Sequence, residues 1–408
     1  MTLKQILMDG ICSVCSANEY VLLAAMEEAK LNNSHCLIEA TSNQVNQYGG
    51  YTSMTPKDFY EYALELAEKT GLPREKLILG GDHLGPLTWQ DEPANAAMEK
   101  AEELVRAFAA AGFTKLHLDT SMRLGGDDPN ARLSDEIIAA RAVKLALAAQ
   151  SALPPGGDIA YVIGSEVPIP GGAHGSEEDV SVTKPEEMLG TYGTFKKAFE
   201  KAGIDFGLVA ALVVQPGVEF GDDSVIDYDR EKAKSLVSAL PEGICFEGHS
   251  TDYQTKKALN EMRGDGIKIL KVGPALTYGL REALVALEAV SRECGGNPRY
   301  SAALEEAMLK NPENWIKHYH GSDSEKAIKR RFSYSDRCRY YLPDKAVSCA
   351  INGLINDINE LSPPLSLISQ YLPTVYAAIR EGRCAEDAVS MVKARVKDYL
   401  MDYDKIIM

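Results

Sequence analysis

Two short segments carry side chains that can do chemistry together. In Gly80-Gly81-Asp82-His83-Leu84-Gly85-Pro86 a carboxylate and an imidazole follow an apolar run, and in Glu247-Gly248-His249-Ser250-Thr251-Asp252 a second imidazole ends another such run. Imidazoles and carboxylates are common ligands of divalent ions, and separate elements can bring them together without close sequence spacing. Neighbours in a strand face opposite ways, so Asp82 and His83 share a pocket only if the strand has ended there. The Leu-Gly-Pro that follows predicts that it has. A loop-capping Asp beside a structural His is the competing reading. The two segments predict a divalent metal ion (Zn, or Mn, Co, Ni or Mg) on His83 and His249, and no organic cofactor.

Other polar groups stand at the ends of apolar runs. Glu166, in SEVPIPGG (165–172), can serve as a third ligand or as a catalytic acid/base; an ion pair with Lys271 is the alternative. Gln215, in VVQPGVEF, offers a neutral ligand, with Glu219 just beyond it. HLDTS (117–121) contributes Asp119 and Ser121, while His117 is expected to pack in the wall. The amide-rich loop ATSNQVNQYGGYT holds Asn43 and Gln44, which can donate to and accept from a polyhydroxylated ligand, or can simply build a turn. Ser13, Ser250, Asp252, Lys271 and Arg337 complete the expected substrate contacts. Arg337 lies in a stretch with Ser335, Asp336 and Arg339, for which a solvated or packing role competes. Cys12 and Cys15, three apart on a strand, point to opposite faces and cannot easily share one metal.

The elements that must position these groups follow a regular order. Short buried-looking strands are predicted over 11–16, 35–41, 77–83, 115–121, 161–167, 208–217, 244–251 and 267–274, with segments of helical periodicity between them. This alternation predicts a (β/α)8 TIM barrel, with a doubly wound open sheet as the alternative. Asp82, His83, Asp119, Glu166, Gln215, His249 and Lys271 all fall at C-terminal strand ends. A barrel gathers such ends at one mouth, whereas an open sheet spreads them along an edge. From residue 275 the pattern is helical. The reading is a barrel over 1–285 and a helical extension over 286–408, packed on it as one structural unit and partly covering the mouth.

Bulk properties narrow the function classes. A formal net charge of −16 argues against a nucleic-acid surface, which needs a basic face. A local basic pocket for a sugar phosphate remains compatible with it. No apolar run is long enough to span a membrane, and the first residues lack a secretory pattern, so a cytoplasmic location is expected. The 8 cysteines are scattered, which predicts reduced thiols rather than a disulfide framework.

The segments SVCSANEYVLLAA, LIEATSNQVNQYGGYT, GGDHLGP, YVIGSEVPIPGG, VVQPGVEF, HSTDYQT, KILKVGPALT, RYYLP and ISQYLP, in that order, resemble the GatZ/KbaZ family. Its members are described as accessory subunits of D-tagatose-1,6-bisphosphate aldolase. The family is similar in turn to class II, metal-dependent aldolases, which are (β/α)8 barrels. The resemblance implies that Asp82 handles the proton of the reacting hydroxyl and that His83 and His249 bind the metal. Class II aldolases carry a further ligand in a His-Gly pair ending the sixth strand. Here the matching residues are Gln215-Pro216-Gly217, which leaves coordination to Glu166, Gln215 or Glu219.

A site of this kind can polarise the C2 carbonyl of a ketose, remove the C4 hydroxyl proton and break the C3–C4 bond. Release of the aldehyde gives an aldolase. Rotation and re-addition of the aldehyde gives a 4-epimerase. The expected reaction is 4-epimerisation between tagatose 6-phosphate and fructose 6-phosphate. Tagatose-1,6-bisphosphate cleavage and a non-catalytic role stabilising a separate aldolase catalytic subunit are the alternatives. Unphosphorylated ketohexoses stay among the candidate substrates, and a homo-oligomer is compatible with the acidic surface.

Overall fold

The computed structural model describes residues 1–128, 133–164 and 180–404. Eight parallel strands form the centre: β1 (Ile11–Val14), β2 (Cys36–Thr41), β3 (Leu77–Leu84), β4 (Lys115–Leu118), β5 (Ala160–Ile163), β6 (Val209–Val214), β7 (Cys245–Gly248) and β8 (Ile267–Val272). Each strand pairs with its sequence neighbours, and β1 pairs with both β2 and β8. The sheet therefore closes into a (β/α)8 barrel, and an open doubly wound sheet is excluded. Several strands stop short of the expected ends: β4 at Leu118, β5 at Ile163, β6 at Val214 and β7 at Gly248. The described polar residues beyond β4, β6 and β7 belong to loops, which need not alternate. The run expected to continue β6 instead leads to a small antiparallel hairpin, Glu219–Phe220 with Val225–Ile226.

Strand alternation sorts the side chains into two populations. Outward residues such as Ile38, Leu116, Leu118, Phe246 and Leu270 pack beneath the surrounding helices. The inward row begins apolar, with Ile11, Leu37, Ile78, Ala160, Cys245 and Ile269 in a separate cluster inside the barrel. The helix α1 (Leu3–Asp9) plugs this end, inserting Leu3 and the fully buried Leu7 into that cluster. A capping box at Thr2 and Gln5 fixes the start of α1. Higher up, the inward row turns polar: Ser13, Glu39, Lys115, His117, Glu247 and Lys271 are all buried.

The eighth barrel helix, Pro274–Glu293, runs through the expected boundary at 285 without a break. Further helices follow, and the helix Ala388–Met401 packs on both Pro274–Glu293 and α2 (Glu19–Leu31), tying the extension to the barrel wall. Residues 337–343 reach the mouth, where the Tyr340 ring meets Tyr51 with centroids 5.3 Å apart. Among the described residues no helix is long and apolar enough to cross a membrane, and all eight cysteines are free thiols.

Candidate metal centre

β3 delivers its two chemical groups through a bulge. Gly80 pairs with Lys115 and Gly81 with Leu116, but the next pair is Leu84 with Leu118. Asp82 and His83 together thus stand opposite the single residue His117, an arrangement that breaks the alternation. His83 adopts φ 49°, a left-handed backbone uncommon for a residue with a side chain and often found at functional sites. Both side chains now face the mouth. The convergence expected from strand termination comes instead from a bulge within the strand. Gly80 has a related purpose: a Cβ there would lie 2.9 Å from Glu39 Cγ and 3.1 Å from the Lys115 carbonyl oxygen. Its absence makes room for Glu39 to meet Lys115 across the barrel.

The resulting cluster has two storeys. In the lower one the Lys115 ammonium lies 2.6 Å from Glu39 Oε1 and 2.6 Å from Glu247 Oε2, with all three side chains fully buried. Lys271 links the storeys, its Nζ 2.7 Å from Glu39 Oε2 and 2.6 Å from Asp82 Oδ1. In the upper storey Asp82 Oδ1 lies 2.9 Å from His83 Nδ1 and 3.1 Å from His117 Nδ1. Glu247 Oε1 lies 2.9 Å from His249 Nε2. The rings of His83, His117 and His249 form a triangle with centroids 4.9, 4.9 and 5.3 Å apart.

Charge and burial set the protonation states. Burial works against ionised Asp82, yet His83 and Lys271 outweigh it and hold the carboxyl well below the usual carboxylate range. Glu247 is likewise held low, with Lys115 and Lys271 overcoming its burial. The carboxylates in turn hold both lysines above their ordinary values despite complete burial. Burial pushes His249 down to about 3, and the nearby His83 and Lys271 add to the effect against its Glu247 hydrogen bond, so this imidazole is neutral. His83 moves the other way: burial opposes its charge, but the Asp82 carboxylate prevails. Two ammonium groups against the carboxylates of Glu39, Asp82 and Glu247 leave one net negative charge before the imidazoles are counted.

These residues fit a divalent cation. One ligand atom from each of Asp82, His117, Glu247 and His249 falls within 4.8 Å of the others. His117 Nδ1 and His249 Nε2 are engaged on the protein side, while His117 Nε2 and His249 Nδ1 are buried with no hydrogen-bond partner among the described residues. A carboxylate that holds one ring nitrogen orients the other, as outer-shell carboxylates do for metal-binding histidines. Two buried ring nitrogens left without a partner among the described residues, beside the ionised Asp82 and Glu247, are what a cation would satisfy.

The comparisons place the chain. Residues 2–407 match the model of the GatZ/KbaZ-like family, described as "D-tagatose-1,6-bisphosphate aldolase subunit GatZ/KbaZ-like". This chain belongs to the GatZ/KbaZ-like family. A crystal structure from Sinorhizobium meliloti 1021, described as a probable tagatose 6 phosphate kinase, is 45% identical and superposes with a TM-score of 0.89, covering 97% of this chain and 99% of that one. More distant matches are the fructose-bisphosphate aldolase of Campylobacter jejuni (16% identity, 88% of this chain, 91% of that chain, TM-score 0.43) and the fructuronate-tagaturonate epimerase of Cohnella laeviribosi (13%, 97%, 82%, 0.46).

Not every residue singled out in the sequence of this GatZ/KbaZ-like chain joins the centre. Asp82, His83, His249 and Lys271 do, and His83 stands beside the four-residue group rather than inside it. Gln215 does not: its Oε1 accepts from the Gly217 and Val218 amides at 2.8 and 3.0 Å, closing its own turn. Lys271 pairs with Glu39 and Asp82, and Glu166 lies outside the described residues. Asp252 Oδ1 accepts from the Gly273 and Ala275 amides and so caps the eighth barrel helix. Arg337 donates to the Asn314 carbonyl, away from the cluster. Asp119 accepts from the amide and hydroxyl of Ser121, and Asn43 Oδ1 accepts from Thr88. Ser13 is buried on β1 below Cys15, Gln44 lines the mouth, and Ser250 is buried with no hydroxyl partner among the described residues. Cys15 Sγ sits 3.8 Å from Asp82 Oδ2, whereas Cys12 faces outward near Arg263, so the two thiols indeed serve different places.

Sequence reasoning missed Glu39, Lys115 and Glu247, and it assigned His117 to wall packing. That assignment is overturned, because the His117 ring belongs to the imidazole triangle. The signal was present. Strands buried on both faces read as near-continuous apolar runs, so a charge inside CLIEAT, KLHL or CFEG demands a buried partner. Lys115 and His117 are two apart on one strand and therefore share the inner face.

Proposed function

We propose that this GatZ/KbaZ-like chain is a metal-dependent enzyme that makes and breaks the C3–C4 bond of ketohexose phosphates, and that its reaction is 4-epimerisation between tagatose 6-phosphate and fructose 6-phosphate. The observation that carries this reading is the buried group at the barrel mouth, in which Asp82 stands among three imidazoles with two unsatisfied ring nitrogens. His117, His249 and Glu247 would hold the ion with His83 beside them, His117 supplying from β4 the imidazole that the Gln215 turn lacks. A divalent ion held there would supply Lewis-acid polarisation of the C2 carbonyl.

The remaining steps fall to the protein. Asp82, kept ionised by His83 and Lys271, receives the C4 hydroxyl proton. Its basicity is depressed, so this transfer accompanies C–C cleavage rather than preceding it. Lys271 bridges Asp82 and Glu39 and can lean toward Glu39 as Asp82 takes the proton. After the aldehyde turns its other face, C3 re-adds to C4, and Asp82 returns the proton to the new C4 oxygen. The segment 337–343 across the mouth favours keeping the aldehyde in place.

The family description as an aldolase subunit supports a second reading, in which the chain stabilises a separate catalytic subunit. Against it stands the cost of burying five charged side chains, which a scaffold could replace with apolar packing. The decisive experiment incubates the metal-loaded chain alone with fructose 6-phosphate and follows all sugars by NMR. Tagatose 6-phosphate without free triose is expected. Net triose release would move the assignment to aldol cleavage. No conversion of tagatose or fructose phosphates, together with co-purification of an aldolase, would replace the enzyme reading with the subunit one.

A further inference from the structure

We propose that a pocket at the rim of the mouth, built around Arg339, is the subsite for a phosphate monoester of the substrate. This rests on the sugar-phosphate reading above and names where the anionic end is held. The pocket has a volume of about 150 Å³ and is lined by Cys15, Ser16, Gln44, Tyr51, Thr277 and Arg339, among others. Cys15 connects it to the centre, since its sulfur is also 3.8 Å from Asp82 Oδ2. A molecule anchored in the pocket therefore extends past Cys15 toward Asp82.

The electrostatics point to an anion. The Arg339 guanidinium is partly buried, donates to the Ser335 and Asp336 carbonyls and the Tyr340 hydroxyl, and lies 4.5 Å from the Tyr340 ring centroid. Those partners fix the side chain without neutralising it. The neighbouring carboxylates are committed elsewhere. Asp252 caps the helix at Gly273 and Ala275. Asp336 binds Thr277 and Arg281. Glu19, at the exposed edge of the pocket, lies 3.5 Å from Lys69. Among the described residues no carboxylate forms an ion pair with Arg339; a cation so withdrawn from water is costly, and the guanidinium fork matches phosphate oxygens. An incoming phosphate supplies the missing counter-charge.

The test separates this subsite from the reaction by reading binding without turnover. Inorganic phosphate is titrated into the metal-free full-length chain, followed by calorimetry and ³¹P line width. The wild type is expected to bind at millimolar concentration. Arg339→Gln should weaken binding about tenfold or more, the usual worth of a charge-assisted contact, and Arg339→Lys should restore part of it. Because Arg339 also ties down local carbonyls, a second variant leaves it in place. Ala17→Asp sets a carboxylate in the same pocket, and it should abolish phosphate binding while raising the melting temperature. In the active enzyme, either loss variant should raise KM for fructose 6-phosphate. No phosphate binding by the wild type, or binding unchanged in folded Arg339→Gln and Ala17→Asp, overturns the subsite whatever the chain proves to catalyse.

Discussion

The lower and upper halves of the barrel interior use the same strands and the same alternation, yet they bury opposite chemistry. Below, Leu3 and Leu7 of α1 close on Ile11, Leu37, Ile78 and Ile269, a floor that needs nothing beyond volume and apolarity. Above, two lysines, three carboxylates and three imidazoles occupy the matching inward positions and hold one another through short contacts. Apolar burial stabilises wherever it fits. A buried ion pair gains little over an apolar replacement, while losing one partner strands the other. The contrast assigns stability to the floor and chemistry to the mouth.

The sharpest way to break this contrast is Asp82→Asn. It should reduce epimerisation by about 10²–10⁴-fold, the usual worth of a positioned acid–base group, with the fold retained by circular dichroism. A scaffold would lose nothing. Next comes Lys115→Met, which leaves the buried Glu39 and Glu247 with Lys271 as their one shared cation among the described residues. It should cost about 3–5 kcal/mol in denaturant unfolding. Adding Glu39→Gln should recover part of that loss; if the double variant is no better than the single one, the charge argument fails. Leu7→Ala tests the floor, with an expected loss of about 2–5 kcal/mol and unchanged affinity for divalent ions. A drop in metal affinity there would mean that the two halves are not separable.

Smaller effects sharpen the comparison. Divalent metal should raise the melting temperature of the wild type, by about 2.7 kcal/mol of stability at a hundredfold excess over Kd, and should not do so in His117→Ala or His249→Ala. The smallest effect is in pH. The folded-state pKa values of Asp82 and Glu247 lie below their unfolded values, so both contribute stability above the unfolded carboxylate range, lost as pH falls through the lower folded values. Metal-free protein should therefore weaken on acidification below roughly pH 4, and Glu247→Gln should flatten that limb. An equally steep limb in the variant would place the acid sensitivity outside the centre.

Much of the fold was legible because alternation and periodicity are local properties. Eight apolar runs ending in polar residues predict eight strands whose ends share a mouth, and Asp82, His83, His249 and Lys271 were found from position alone. Gln215 was misplaced because a sequence motif says nothing of which turn consumes its amide. His117 was set aside because a single imidazole on a buried strand usually packs, and its neighbours in space come from β3 and β7, far away in the chain.

By itself the sequence determined the strand and helix order, the acidic character that argues against a nucleic-acid role, and the family, since these depend on residue types at near spacing. Only the tertiary structure decided that the barrel closes, that a bulge at Asp82 and His83 turns both residues to one side, and that Glu39, Lys115, His117 and Glu247 meet inside it. The reason is that a buried charge is tolerable only beside its counter-charge. Here those partners lie on different strands, which local sequence cannot pair and closure of the sheet can.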